Sequence, residues 1–153
     1  MPTDFKRSAI QRYVGKTHTF SVGKETQKKL QKLSRKFGGT LFTALFSIFN
    51  ILLGRYSGQE DILIGIPVAN RTLESLENII GFFANTLVLR NDLGGNLTFE
   101  KFLVKVTKTS VDAYENQEVP FEKLVDALQV ERNTSRNPLF QVLFSLQNFS
   151  QND

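Results

Sequence analysis

Few side chains in this sequence are suited to acid–base or nucleophilic chemistry, and they are far apart. The single histidine, His18, lies in a predicted strand, where a surface position is favoured over the role of an oriented general base. The sequence has no cysteine, which excludes disulfides, thiolate metal sites and a cysteine nucleophile. The carboxylate pairs Glu60–Asp61 and Glu74–Glu77 flank predicted elements and are typical of solvated ends. We therefore predict no catalytic residue and no metal site within these 153 residues.

The composition is that of one globular domain with a mildly basic charge. Apolar residues make up 41% of the chain, and 14 of them are phenylalanines, whose rings are expected in a core or at an interface. The net charge of +4 arises largely from six lysines and arginines between Lys24 and Lys36. Nucleic-acid binding and a solvated helix face both explain this cluster. The solvated face is favoured, because aromatic residues are not interleaved with the basic ones and no recognised nucleic-acid-binding motif occurs.

The sequence also bears on where the protein works. The most apolar stretch runs over the 13 residues from Leu41 to Leu53, whereas a membrane-spanning helix needs about 20. The first residues are polar and contain no apolar segment of a secretory signal. We therefore predict a cytoplasmic protein with neither a membrane nor a nucleic acid among its partners.

The periodicity of the apolar residues predicts alternating strands and helices. The first 16 residues have no sustained pattern and are predicted to be a lead-in linker or strap. Strands alternating with helices indicate an α/β or α+β layered domain, with helices packed on a sheet. The predicted strands are His18–Val22, Asp61–Pro67, Phe82–Leu93 and Leu139–Phe149. The predicted helices are Lys24–Phe37, Leu41–Tyr56, a short one at Leu73–Asn78, Phe99–Glu115 and Phe121–Leu128.

Local signals define how some of these elements begin, end and pack. Gly38-Gly39 is expected to end the first helix, and Thr40 to cap the second. The second helix is apolar nearly all round, so we expect it to be covered on most sides. The last strand is expected to place four apolar side chains on one face: Phe140, Val142, Phe144 and Leu146.

Four motifs point to a known family. The first, Tyr56–Arg71, reads Y-S-G-Q-E-D-I-L-I-G-I-P-V-A-N-R, and the second, Ile80–Arg90, reads I-G-F-F-A-N-T-L-V-L-R. The third, Asn116–Glu122, reads N-Q-E-V-P-F-E, and the fourth, Arg132–Phe140, reads R-N-T-S-R-N-P-L-F. In this order and spacing they resemble the C-terminal lobe of nonribosomal peptide synthetase condensation domains. Asn133 stands where that family more often has aspartate.

The resemblance implies a chloramphenicol-acetyltransferase-like half domain with a mixed sheet, in which residues 17–153 form the C-terminal lobe. The complete enzyme would form amide bonds between carrier-bound aminoacyl or peptidyl thioesters, in the biosynthesis of secondary metabolites such as antibiotics. The family's H-H-x-x-x-D-G signature belongs to the N-terminal lobe and does not occur in these residues. The resemblance therefore implies that this chain alone is inactive and binds no cofactor directly. Its implied partners are the N-terminal lobe, peptidyl carrier proteins bearing phosphopantetheine, and an adjacent adenylation domain.

The resemblance also suggests roles for individual residues. Arg71 would pair with the aspartate of the H-H-x-x-x-D-G signature and hold the two lobes in register, as a guanidinium matches a carboxylate with two hydrogen bonds. Asn85 would either bind a substrate amide or pantetheine arm, or satisfy backbone groups at the end of a strand. The expected lobe-interface or structural residues are Arg71, Asn70 and Gly81. The expected tunnel or substrate-side residues are Asn85, Phe83 and Thr86.

Two other functions fit part of the sequence. A stand-alone module that docks carrier proteins, or acts as a scaffold without catalysis, would also lack the histidine signature. An independent acyltransferase of the chloramphenicol type is disfavoured, because that chemistry needs the same histidine motif. A half domain is expected to expose the apolar face of its tunnel, so we also predict self-association of the isolated lobe.

Overall fold

The fold is built on two antiparallel strands and the helices that pack on them. The structure is a computed structural model, and it describes residues 3, 5, 8–10, 14–76, 78–130 and 133–147. The elements are α1 (Lys24–Lys36), α2 (Leu41–Ser57), β1 (Asp61–Val68), a 3₁₀ turn (Glu74–Leu76), β2 (Asn85–Asp92), α3 (Phe99–Glu115) and α4 (Phe121–Ala127). This mixture of helices and sheet confirms the predicted α/β class.

The sheet and the two long helices α2 and α3 enclose the core. β1 and β2 pair antiparallel from Asp61 opposite Asp92 to Val68 opposite Asn85. The predicted strand at 61–67 is confirmed, and its apolar run is buried because helices cover it. The core side chains that are almost wholly buried include Phe46, Ile64, Ile66, Leu89, Leu103 and Val106.

Helix α2 begins and ends where its sequence predicts. The Thr40 hydroxyl accepts a hydrogen bond from the Thr43 N–H (3.3 Å), and the Thr43 hydroxyl accepts one from the Thr40 N–H (2.9 Å). This reciprocal arrangement satisfies two backbone donors that a helix start leaves unpaired. The expectation that α2 is covered on most sides needs correction: Ile48 and Leu52 are 41% and 46% exposed, and together they form an open apolar stripe.

Four predicted elements differ from the structure, and the first three are as follows. Residues 18–22 form no strand, because their backbone has no partner among the described residues. The predicted strand 82–93 extends only over Asn85–Asp92, because its partner β1 ends at Val68, opposite Asn85. The short helix predicted at 73–78 is a single 3₁₀ turn. Half of the 16-residue lead-in lies outside the described residues, and in the described half the Ala9 carbonyl accepts a hydrogen bond from the Thr134 hydroxyl (3.0 Å).

The predicted last strand is present only as an extended segment beside β1, with residues 148 and 149 outside the described part. Gly65 donates to the Val142 carbonyl (3.0 Å) and accepts from the Phe144 N–H (2.9 Å), which forms one parallel bridge between Gly65 and Leu143. The next bond of a parallel ladder would need an N–H at Pro67, which proline lacks. The ladder therefore stops, yet the expected face is kept: residues 142, 144 and 146 are half-buried and their neighbours are exposed.

Within the described ranges, no single helix is long and apolar enough to cross a membrane. Helices α1 and α2, which meet at a bend of 101°, would satisfy the requirement only as a pair, by length and composition alone.

Candidate functional site

Phe121, the first residue of α4, is the point at which the four motifs meet. Its N–H donates to the Oδ1 atom of Asn85 in the second motif (3.2 Å). Its ring packs edge-on against Phe140 of the fourth motif, with centroids 5.6 Å apart. Phe140 in turn lies against Gly65 of the first motif. Residues far apart in the sequence are thus joined by direct contacts around one aromatic ring.

Asn85 fastens the start of β2 to the turn that precedes α4. Its Nδ2 group donates to the carbonyls of Gln117 and Val119, both at 2.8 Å. Its Oδ1 atom accepts from the N–H groups of Thr86 (2.8 Å) and Phe121 (3.2 Å). A primary amide offers two donors and two acceptor positions, so the hydrogen-bonding capacity of this side chain is filled. These contacts favour the second of the two roles considered for Asn85, that of satisfying the backbone.

Arg71 organises the irregular stretch between β1 and β2. Its Nη1 group donates to the carbonyls of Leu76 and Ile79 (2.9 Å for Ile79), and Nη2 donates to that of Gly81 (3.4 Å). The guanidinium carbon lies 4.4 Å from the centroid of the Phe83 ring, a cation–π contact. No ion pair of Arg71 is formed within the part of the chain that the structure describes. The half-buried guanidinium therefore binds carbonyl oxygens, and no carboxylate pairs with it among the described residues.

A cavity of about 320 Å³ lies between the start of β2 and the start of α4. Asn70 borders it with a left-handed backbone (φ 52°), which asparagine adopts more readily than most residues. The Oδ1 atom of Asn70 is buried and has no hydrogen-bond partner among the described residues. The cavity is lined by Asn70, Phe82, Ala84, Asn85, Thr86, Pro120, Phe121 and Glu122.

The six residues predicted from the sequence divide into two neighbouring groups. Three of them, Asn70, Asn85 and Thr86, line the cavity. The other three, Arg71, Gly81 and Phe83, contact one another in the adjoining loop: Arg71 binds the Gly81 carbonyl and stacks on the Phe83 ring. A Cβ atom on Gly81 would lie 3.0 Å from that ring. The interface and substrate-side roles suggested for these residues stay predictions. Glu122 also lines the cavity, but it was not selected from the sequence. Its position in the third motif could have identified it.

The loop beside this cavity exposes an unusual amount of apolar surface. Ile80 is fully exposed and Phe82 is 92% exposed, and Leu73 (60%) and Ile79 (48%) lie in the same stretch. Val119, on the turn fastened by Asn85, is 50% exposed. Contiguous exposed apolar side chains of this size mark interaction surfaces on soluble domains. We call Leu73, Ile79, Ile80 and Phe82 the apolar loop.

The fourth motif lines a second, smaller cavity that shares two residues with the first. This cavity of about 250 Å³ is lined by Phe121, Glu122, Val125, Asn133 and Pro138. The Oδ1 atom of Asn133 accepts from the N–H (2.8 Å) and the hydroxyl (2.6 Å) of Ser135, which fixes the turn. Both contacts use only an acceptor oxygen, which asparagine and aspartate supply equally.

The clearest electrostatic effects occur at the other end of β2. Arg90 donates from Nε and Nη2 to the two carboxylate oxygens of Asp61, each at 2.9 Å, and this pairing raises the pKa of Arg90. The Gly94 N–H, followed by the Lys105 ammonium, lowers the pKa of Asp92.

Among the described residues, no group of three histidine, cysteine or acidic side chains could hold a metal ion. A larger cavity of about 610 Å³ near Arg55, Glu60 and Leu93 contains none of the six predicted residues.

Comparisons with known proteins agree with the resemblance that the four motifs indicate. The family model described as the condensation domain matches residues 1–153. The chain is 45% identical over 151 residues to tyrocidine synthase 3 of Brevibacillus parabrevis, covering 99% of this chain and 2% of that protein. It is 44% identical over 147 residues to bacitracin synthase 2 of Bacillus licheniformis, covering 96% of this chain and 6% of that protein. A linear gramicidin synthase of Brevibacillus parabrevis is 53% identical over 152 residues, covering 99% of this chain and 3% of that protein.

Solved structures show the same similarity. The four-domain nonribosomal peptide synthetase holo-AB3403, bound to AMP and glycine, superposes with a TM-score of 0.93 at 29% identity, over 98% of this chain and 11% of that one. The X-domain from teicoplanin biosynthesis superposes with a TM-score of 0.86 at 28% identity, over 92% of this chain and 31% of that one. The chain thus spans only a small part of the proteins that it matches.

Proposed function

The chain belongs to the condensation-domain family, and we propose that it forms the C-terminal, acceptor-side lobe of such a domain in a nonribosomal peptide synthetase. The observation that carries this proposal is the convergence of four motifs around Phe121, next to an apolar loop that has no cover among the described residues. A lobe that closes one side of a shared tunnel needs an ordered inner surface, which the converging motifs supply. It also needs an exposed apolar surface for contact with the other lobe, which the apolar loop supplies.

The proposed reaction of the complete domain is amide formation between two carrier-bound substrates. The amine of the acceptor attacks the carbonyl carbon of the donor thioester, a C–N bond forms, and the C–S bond breaks. The amine loses a proton, and the departing phosphopantetheine thiolate gains one. The C-terminal lobe supplies no acid or base in this scheme; it positions the acceptor, while the histidine signature lies on the N-terminal lobe. The phosphopantetheine is carried by the partner carrier proteins, and an adenylation domain is the proposed neighbour.

Arg71 is the residue that we propose to bind the N-terminal lobe. Both Nη1 hydrogens and one Nη2 hydrogen are used by carbonyls, which leaves the Nε–H and one Nη2–H without a partner in the described structure. This Nε/Nη2 edge is the one with which Arg90 holds Asp61. A carboxylate from the H-H-x-x-x-D-G signature fits the same edge of Arg71, without breaking the loop contacts.

The apolar loop supports the same interface. Ile80 and Phe82 flank Gly81, whose carbonyl is held by Arg71, so their positions are tied to that of the guanidinium. Contact with a second lobe would remove these side chains from water at the point where the charges pair. Without that lobe, self-association through the apolar loop is expected. The lack of cysteine is compatible with a reducing cytoplasm, where we propose that the protein works.

The test is peptide-bond formation between donor- and acceptor-loaded carrier proteins. We expect no product with this chain alone, and product when a separately expressed N-terminal lobe is added. Product from the chain alone would refute the assignment of the chemistry to the other lobe. The second candidate is a carrier-docking module without catalysis, which the lack of the histidine signature favours. It predicts carrier binding but no product in either sample.

A further inference from the structure

The cavity of about 610 Å³ lies at the opposite end of β2 from the cluster around Phe121. It opens between the last turn of α2, the loop that follows this helix, and the start of α3. At about 3.4 Å per residue, the eight residues of β2 keep its two ends roughly 25 Å apart. The volume is within the range of about 300–1,000 Å³ that small-molecule sites occupy.

The floor of this cavity is apolar. Leu93 lies so close to α2 that a Cβ atom on Gly54 would be 2.2 Å from the Leu93 Cδ1 atom, so the leucine packs directly on the helix backbone. Phe102 is 3% exposed, and Leu97, at 39%, lies nearest to solvent. The floor therefore offers an apolar contact surface to a ligand. It consists of Ile51, Leu93, Leu97, Phe99 and Phe102.

Two unpaired charges of opposite sign line the same cavity. Arg55 lies in the last turn of α2, and Glu60 lies in the loop before β1. Neither side chain forms an ion pair or a hydrogen bond with any residue that the structure describes. The neighbouring carboxylates already have partners, because Arg90 binds Asp61 and Lys105 binds Asp92. One free cation and one free anion thus accompany the apolar floor.

The surroundings of Glu60 favour an ammonium group. A Cβ atom on Gly94 would lie 3.0 Å from Oε2 of Glu60 and 3.1 Å from Oδ1 of Asp92, so these two carboxylates are neighbours. Lys105 is bonded to Asp92, and no second cation binds either carboxylate within the described ranges. One negative charge is therefore left over at this side of the cavity.

We propose that this cavity binds a small zwitterion with an apolar body, either an α-amino acid or a short linear peptide with free amino and carboxyl groups. Its ammonium group pairs with Glu60, and its carboxylate pairs with Arg55 through the guanidinium. Its apolar side chains cover Leu93 and Leu97. The cavity is remote from the cluster around Phe121, so the inference does not depend on the proposed function.

Ligands with other charge patterns leave part of this surface unmatched. A simple anion would meet the carboxylate of Glu60, and a simple cation would meet the guanidinium of Arg55. An uncharged apolar molecule would remove water from both groups without pairing either of them. A zwitterion matches both charges and the floor at once.

The first test is a titration of the isotopically labelled 153-residue chain with leucyl-leucine and with L-leucine, followed by amide chemical shifts. We expect saturable shifts at Gly54, Gly58 and Leu97, which line the cavity. Glycylglycine keeps both charges but has no side chains, so it should bind at least about tenfold more weakly. The tighter of the two leucine ligands identifies the source as a peptide or as an amino acid.

The second test removes each charge from both partners. N-acetyl-leucyl-leucine lacks the ammonium, and leucyl-leucine amide lacks the carboxylate. Each should bind about 2- to 5-fold more weakly than leucyl-leucine, the range for exposed ion pairs. Glu60→Gln should weaken leucyl-leucine by a similar factor and leave the N-acetylated peptide unaffected; Arg55→Gln should do the same for the amide.

Matched controls and a blocking variant complete the design. Arg35→Gln, in the last turn of α1, and Glu74→Gln, in the 3₁₀ turn, should bind leucyl-leucine as the parent does. Arg55 and Glu60 are exposed, so their replacement should leave the fold intact. Leu97→Trp fills the cavity from its exposed side and should abolish the shifts.

Three results would overturn the proposal. The first is the absence of saturable shifts with both leucine ligands at millimolar concentrations. The second is parental affinity for leucyl-leucine in both Glu60→Gln and Arg55→Gln. The third is a set of shifts centred on the cavity at Phe121, which would place the binding site at the other end of β2.

Discussion

Phe140 lies so close to Gly65 that a Cβ atom on residue 65 would be 2.5 Å from Cε2 of its ring. Gly65 belongs to β1, and Phe140 begins the segment that lies beside it, so the close approach holds the fourth motif against the first. The ring of Phe140 then supports Phe121, with centroids 5.6 Å apart. Glycine at 65 is therefore required by the packing of a neighbouring ring.

Gly65→Ala should destabilise the protein, because the new methyl group must displace the Phe140 ring. Overpacking of this kind costs about 1–3 kcal/mol. The free energy of unfolding in urea measures it. Gly15→Ala is the control, since nothing lies within 4 Å of a Cβ at that position. Adding Phe140→Leu to Gly65→Ala should recover part of the loss; equal stability of parent and Gly65→Ala would contradict the packing argument.

Asn85→Ala should release the turn before α4 from β2. The substitution removes the partner of the Phe121 N–H and of the Gln117 and Val119 carbonyls, and because these groups are only partly buried we expect a cost of about 0.5–1.5 kcal/mol for each lost hydrogen bond. Amide hydrogen exchange should show lost protection at Phe121, with little change in α3. Asn78→Ala, at an exposed position, serves as control. Unchanged exchange at Phe121 would show that Asn85 does not hold the turn.

Thr40→Ala should destabilise α2 by about 1 kcal/mol, because the Thr43 N–H loses the Thr40 hydroxyl as its acceptor. Thr98→Ala tests the corresponding cap of α3, where the Thr98 hydroxyl accepts from the Lys101 N–H (3.4 Å) and the Thr98 side chain also hydrogen-bonds Glu100. Chemical denaturation of both variants measures the difference. Equal stability of the parent and Thr40→Ala would contradict the capping role of the Thr40 hydroxyl.

Protonation of Asp92 should contribute to the decline in the free energy of unfolding at acidic pH. Its pKa is lowered, first by the Gly94 N–H and then by Lys105, so the folded state favours the ionised carboxyl. The contribution is present above the unfolded pKa of 3.8 and is lost as pH falls through the folded value. Asp92→Asn should flatten the decline of unfolding free energy below about pH 4, and Asp112→Asn is the control. An equal decline in the free energy of unfolding at acidic pH for the parent and Asp92→Asn would refute this role.

The sequence predicted the elements whose stability is local. Helices α1 to α4 and strand β1 follow from periodicity, and the Thr40 cap and glycine stops follow from local backbone chemistry. The two predicted strands that failed, at 18–22 and 139–149, have the right alternation but depend on distant partners. Pro67 stops the ladder to the second of them, and this effect is visible only once β1 and residues 142–144 are known to be adjacent.

The candidate site was predictable from motifs rather than from periodicity. The six residues selected from the second motif and the end of the first are neighbours in the structure, around one loop and one cavity. Their contacts could not be derived from spacing. The core determines how β2 and α4 are placed relative to each other. This placement lets the Asn85 amide bind residues 117–121 and lets Arg71 bind backbone carbonyls.

Arg71 provides the last prediction, because its two functions can be separated by substitution. Arg71→Ala removes the carbonyl contacts and the proposed lobe pairing. Arg71→Lys keeps the charge but cannot hold three carbonyls and a carboxylate with one ammonium. In the two-lobe assay, Arg71→Ala should weaken binding of the N-terminal lobe at least about 30-fold, because losing one partner of a buried hydrogen-bonded charge pair costs about 2–5 kcal/mol.

Hydrogen exchange at residues 79–81 distinguishes the two functions of Arg71. In the chain alone, both Arg71→Ala and Arg71→Lys should increase exchange there, because the brace on the Ile79 and Gly81 carbonyls is lost. Arg35→Ala, on the exposed face of α1, should change neither exchange nor lobe binding. If both Arg71 variants bind the N-terminal lobe as tightly as the parent while the loop loosens, Arg71 braces the loop and does not pair with the other lobe.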